Sequence, residues 1–115
     1  MKVCVPAEGK TPDSRIGEHF GKVPYYLIFD LDSGEMKALS NMGDHENLYP
    51  PEIIKHEGAD VLLCAGIGRR ALKMFEDFGI KVYTCARGTA KDAVQMFKKG
   101  VLKEAEEKDA CVGHG

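Results

Sequence analysis

Apolar positions along this chain follow two periods, one of two residues or none and one near 3.6, and the changes between them mark strands and helices. Residues 1–6 are short and apolar and predict a first strand. Residues 25–31, rich in aromatic and branched side chains, predict a second. Asp32-Ser33-Gly34 is a turn, and residues 35–40 return as a third strand, making a hairpin. Pro50-Pro51 opens a helix through His56, with Gly58 closing it. Val61-Leu62-Leu63-Cys64 is a continuous apolar run, the pattern of a strand buried on both faces. Gly66 and Gly68 break it. A helix then opens at Arg69, with Leu72, Phe75 and Phe78 along one face, and Gly79 stops it. Residues 80–85 form the next strand, and Ala86-Arg87-Gly88 is a turn. Thr89 is placed to cap a helix over residues 90–99, with Ala93, Val94 and Phe97 facing inward and Gly100 ending it.

This order predicts an α/β domain with a mixed, five-stranded sheet flanked by helices. The first strand and the two later ones are its parallel members, joined by right-handed crossovers. Ligands in such sheets favour the crevice at the carboxyl ends of the strands. Gly66-Ile67-Gly68-Arg69-Arg70 belongs at that edge, where its N–H groups and the helix dipole favour a negatively charged guest. The equally simple alternative is that the glycines serve close strand–helix packing. Residues 7–22 leave the first strand at the same edge. They are rich in glycine and charge and lack a helical period, and a loop of this length is usually functional or mobile. Ile16 and Phe20 are expected to pin this loop and to present His19 beside them. The ordinary reading of His19 is a loop histidine bonded to backbone.

Length and charge narrow the field. At 115 residues the chain is one domain with room for a core, and its net charge of −2 gives no reason to expect nucleic acid or an anionic membrane as partner. No apolar run approaches the roughly 20 residues needed to span a bilayer. No basic segment followed by a long apolar region opens the chain, so a cytoplasmic location is the expectation. The four cysteines, Cys4, Cys64, Cys85 and Cys111, include no CxxC pair, and disulfides are not the natural reading. Cys4, Cys64 and Cys85 suit small buried core positions. Alternatively, their places near the carboxyl ends of three parallel strands would bring thiols to the Gly66–Arg70 edge, with Arg69, Arg70 and Arg87 close by. Thiolate, imidazole and guanidinium around one crevice would suit a soft, anionic, metal-containing ligand. Residues 103–115 read as a charged tail. Its Cys111 and His114 could close on one metal ion, although a structural zinc site normally takes four ligands.

Three stretches together carry a family resemblance. Asp13-Ser14-x-Ile16-x-x-His19-Phe20-Gly21, then Gly66-Ile67-Gly68-x-x-Ala71, then Gly79-Ile80-x-Val82-Tyr83 resemble the dinitrogenase iron–molybdenum cofactor biosynthesis family, the small domain of NifX- and NifY-type proteins and of the end of some NifB proteins. The resemblance runs over residues 1–102. It implies a ribonuclease H-like three-layer fold and non-enzymatic binding or carrying of an iron–sulfur or iron–molybdenum cluster or precursor. Related members hold a molybdenum–copper sulfide cluster by non-covalent contacts. The implied cofactor-binding residues are Ser14, Arg15, His19, Phe20, Gly21, Gly66, Ile67, Gly68, Arg69 and Arg70. His19 is the implied metal contact, and Cys111 and His114 are a possible secondary site. The implied partner is a cluster donor or acceptor protein.

Two other classes are weaker. Two-metal phosphodiester hydrolysis needs several converging carboxylates, yet the first strand carries none, and Asp30 and Asp32 flank a solvated turn. No histidine is spaced to activate a particular thiol. A regulatory module that binds another protein through the hairpin edge or the tail, with no metal, stands as the alternative.

Overall fold

The alternation of Val3, Cys4 and Val5 sends neighbouring side chains to opposite faces of one strand, and both faces are buried. That double burial sets the architecture of the computed structural model, which describes residues 1–41, 50–84 and 86–105. The elements are β1 (Lys2–Ala7), a single 3-10 turn (Phe20–Lys22), β2 (Tyr25–Asp30), β3 (Met36–Ser40), α1 (Pro50–His56), β4 (Val61–Leu63), α2 (Arg69–Asp77), β5 (Lys81–Thr84), α3 (Ala90–Lys98) and β6 (Lys103–Glu104). They form one mixed sheet in the order β3-β2-β1-β4-β5-β6. β1, β4 and β5 run parallel, as the crossovers require. The β2–β3 hairpin pairs antiparallel to β1.

Helices cover both faces. Cys4, Leu62, Cys64 and Val82 pack with Ile53 and Ile54 of α1 and with Leu72 and Phe75 of α2. Val3, Val5, Val61 and Leu63 pack on the other face with Ala90, Ala93 and Val94 of α3. The sheet has six strands among the described residues, where the hydrophobic pattern predicts five. β6 adds antiparallel to β5 through Tyr83↔Glu104 and Thr84↔Lys103. The Ala105 N–H extends this pairing by donating to the Val82 carbonyl at 2.7 Å. Two charged, exposed residues carry no side-chain period, and backbone pairing alone makes them a strand. Cys85, the segment holding His45, and Cys111 and His114 lie outside the described residues.

Helix ends follow the expected local chemistry. Gly79 and Gly100 take positive φ values of 77° and 71°. Each sits just past its helix and lets the following N–H reach back, Ile80 to Phe75 and Val101 to Met96. Thr89 caps α3 reciprocally: its hydroxyl accepts from the Asp92 N–H at 3.1 Å, and the Asp92 carboxylate accepts from the Thr89 N–H at 3.0 Å. Thr89→Ala is expected to cost about 1 kcal/mol in urea unfolding. The hydrogen bond from the Thr89 N–H holds the Asp92 carboxyl below its ordinary value. This contribution is therefore complete above the ordinary carboxylate range and fades as pH falls through the depressed value. The acid-side loss of stability should be shallower in Asp92→Asn, which has no carboxyl to titrate, than in the wild type.

The long loop after β1 is stitched down rather than loose. Ile16 bridges Ala7, and Arg15 bridges Thr89. Gly17 N–H donates to Pro6, Ile16 N–H to Gly88, and Ala90 N–H to Ser14. Ile16 and Phe20 are buried, as the pattern predicts.

Candidate functional site

The carboxyl edge of the parallel strands carries two backbone segments that meet directly. The Phe20 N–H donates to the Gly66 carbonyl at 3.2 Å. The Phe20 carbonyl accepts the buried Tyr26 hydroxyl at 2.7 Å. Burial, with Cys4 nearby, pushes the Tyr26 hydroxyl far above its ordinary value, so it remains a donor. The Phe20 ring lies 5.2 Å from both Tyr26 and Phe75, tilted on the first and edge-on to the second. Phe20 is thereby fixed by its ring and by both of its peptide groups. His19, one residue earlier, is held at the start of the 3-10 turn, where its carbonyl accepts the Lys22 N–H.

A cavity of about 500 Å³ opens between these segments. That volume falls in the ordinary range of ligand pockets. His19, Phe20 and Gly21 line one side, and Gly66, Ile67, Gly68 and Arg70 line the other. Pro50, Pro51, Ala71 and Met74 complete an apolar wall, and Lys22 and Asn41 close the rim. Among the described residues the lining includes two permanent cations and a histidine and no acidic residue. The first N–H groups of α2 lack intrahelical acceptors, as at any helix start. No side chain caps them at Gly68, and the first turn holds no acid. An anion with a polarisable surface fits this environment.

Seven of the sequence-predicted site residues thus share one cavity. Three do not line it. Ser14 turns inward on its own loop, where its hydroxyl accepts the Thr11 N–H at 3.1 Å. Arg15 lines a separate cleft with Glu8 and Glu18, which His19 and Lys22 also border. Arg69 is exposed on the outer side of α2, because one residue of helix turns it about 100° from Arg70. Arg87 is exposed and is absent from the cavity lining.

The thiol-lined crevice is corrected for the described cysteines. Cys4 and Cys64 are fully buried in the core under α1 and α2 and do not line the cavity. β1 continues three residues beyond Cys4, so this thiol sits within the sheet rather than at its edge. Cys64 donates to the Tyr83 carbonyl at 3.6 Å. Burial first, then the neighbouring Cys64, raises the Cys4 thiol well above its ordinary value. Cys4 should therefore resist iodoacetamide in the folded protein and react only after unfolding, read by mass spectrometry. Among the described residues no three His, Cys, Asp or Glu side chains converge to hold a metal ion. From the described residues a guest in this cavity would meet shape, charge and one imidazole.

Sequence reasoning missed Lys22, Asn41, Pro50, Pro51 and Met74. Met74 was discoverable: Ile67, Arg70, Ala71 and Met74 follow the i, i+3, i+4, i+7 spacing of one helical face. Asn41 had no local signal. Its N–H donates to Pro24 and its side-chain amide to Val23, so the hairpin carries it to the rim.

Residues 1–100 match the family described as dinitrogenase iron-molybdenum cofactor. The chain belongs to that family. Solved structures agree with this membership. The protein PH0822 is 32% identical, with a TM-score of 0.79, covering 95% of this chain and 99% of its own. The apo form of the orange protein from Desulfovibrio gigas is 25% identical, with a TM-score of 0.81, covering 90% and 92%. A candidate NifB protein from Thermotoga is 28% identical, with a TM-score of 0.78, covering 90% and 91%. The dinitrogenase iron–molybdenum cofactor family connects this chain with cofactor biosynthesis, and the chain spans nearly the whole of these neighbours. Among the described residues no helix is long and apolar enough to cross a membrane.

Proposed function

We propose that this protein binds an anionic metal–sulfur cluster, of iron–sulfur or iron–molybdenum type, and carries it without catalysing a reaction. The observation that supports this reading most directly is the shared cavity. His19-Phe20-Gly21 and Gly66-Ile67-Gly68 lie far apart in sequence yet line one pocket with Arg70 and Lys22 and, among the described residues, no acid. A sulfide-covered cluster presents a negatively charged, polarisable surface. The apolar wall suits the sulfur atoms, the cations and α2 suit the charge, and His19 supplies one nitrogen as ligand or hydrogen-bond donor. Loose holding of this kind suits a carrier, which must release its cargo. A relative, the orange protein, was solved as an apo form, which supports a guest for this cavity. The strand order with an antiparallel hairpin on β1 supports kinship with ribonuclease H-like folds. Ser14, Arg15 and Arg69 remain part of the proposed binding region only as its surroundings. Cys111 and His114 remain a proposed secondary metal site.

Anaerobic purification followed by metal and sulfide analysis and a visible spectrum tests the reading. Iron or molybdenum with sulfide and a charge-transfer band is the expected result. A colourless protein that also takes up no added iron–sulfur or molybdenum–sulfide cluster would overturn it and return the chain to the protein-interaction module.

A further inference from the structure

The outer side of α2 carries a groove lined by Arg69, Arg70 and Lys73 at one end and by Glu76 and Asp77 at the other. Arg70 belongs both to this groove and to the cavity wall, so the two surfaces are continuous. Lys22 adds a cation at the cavity rim. Charge therefore changes sign along one short helix, with the cations beside the cavity and the acids away from it.

This order opposes the helix dipole. Acids favour the first turn of a helix and bases the last. α1 follows that rule with Glu52 first and Lys55 and His56 last, and α3 follows it with Asp92 and Lys98. α2 alone of these three has no acid in its first turn and no base in its last. Helix stability favours the reverse arrangement and so does not account for it. Nor are the charges consumed internally: none of the ion pairs among the described residues uses Arg69, Lys73, Glu76 or Asp77. Arg69 and Lys73 are exposed and lie outside the cavity lining, beyond the reach of a guest within it. The chain as a whole is net negative, so the cationic end is a local feature.

We propose that this strip docks an acidic face of the protein that delivers or receives the cargo, with the cavity mouth turned towards that partner. The exchange of cargo rests on the carrier reading; the docking chemistry does not depend on which guest the cavity holds. Complementary charge of this kind sets orientation and association rate. The acids at the far end of the groove give the strip a direction, so that an acidic partner face must sit over its cationic end.

The test compares the full chain with a Lys73→Glu variant, using fluorescein-labelled polyglutamate in an anisotropy titration at low ionic strength. The wild type is expected to bind and to release the probe on addition of salt. The variant should bind several-fold more weakly. It should melt close to the wild-type temperature, because Lys73 is exposed and enters no ion pair among the described residues, so any loss is not unfolding. Its uptake of tetrathiomolybdate, followed by absorbance, should match that of the wild type, since Lys73 does not line the cavity. Equal polyglutamate binding by both proteins, no binding by the wild type, or a loss confined to tetrathiomolybdate would overturn the docking surface. A wild type that binds polyglutamate but takes up no tetrathiomolybdate would support the docking surface while counting against the carrier reading.

Discussion

Phe20→Ala is expected to lower stability by about 3–5 kcal/mol, the range for truncating a buried aromatic side chain. Phe20 is 1% exposed. Its ring is held between Tyr26 and Phe75, and aromatic pairs add about 0.5–1.5 kcal/mol beyond the area they bury. Truncation would open a void between β2, α2 and the loop that carries His19. It would also loosen the Phe20–Gly66 and Tyr26–Phe20 hydrogen bonds that join the two walls of the cavity. A loss of this size is a large fraction of the 5–15 kcal/mol typical of a domain. Urea unfolding followed by circular dichroism reads it directly, as a lower midpoint with an unchanged slope. A change below about 1 kcal/mol would show that Phe20 is not the anchor of this edge.

His19→Ala should do the opposite. The side chain is half-buried at a loop position and outside the hydrophobic core clusters, so stability should stay within about 0.5 kcal/mol of the wild type. Cluster affinity should fall roughly 10–100-fold if the imidazole contacts the guest, the scale seen when support of a metal group is lost. Tetrathiomolybdate titration by absorbance, beside urea unfolding of the same samples, separates the two effects. A large loss of stability with normal uptake would sink the assignment of His19. The pair of variants is informative because the two residues are adjacent: one serves the fold and the other faces the cavity.

Much of this protein is legible before folding because its signals are local. The apolar run over residues 61–64, the glycines after each helix and the Thr89 cap each act within one turn or one strand, so β4, α2, β5 and α3 follow from the chain. The hairpin and the parallel placement of β1, β4 and β5 follow from connection rules. β6 was not legible, since backbone pairing to β5 makes it and its side chains carry no period. Asn41 and Lys22 reached the cavity rim only because the hairpin and the loop cross there.

By itself the sequence determined the α/β order, the residues that pin the loop, and the two motifs that would meet at one sheet edge. Periodicity, capping and crossover rules are properties of a chain segment and its neighbours, and they need no distant contact. Only the tertiary structure decided which motif residues share the cavity. Helical rotation divided Arg70 from Arg69, and strand length withdrew Cys4 into the core. These outcomes depend on rotations of about 100° and shifts of one residue, and packing of one element on another sets them.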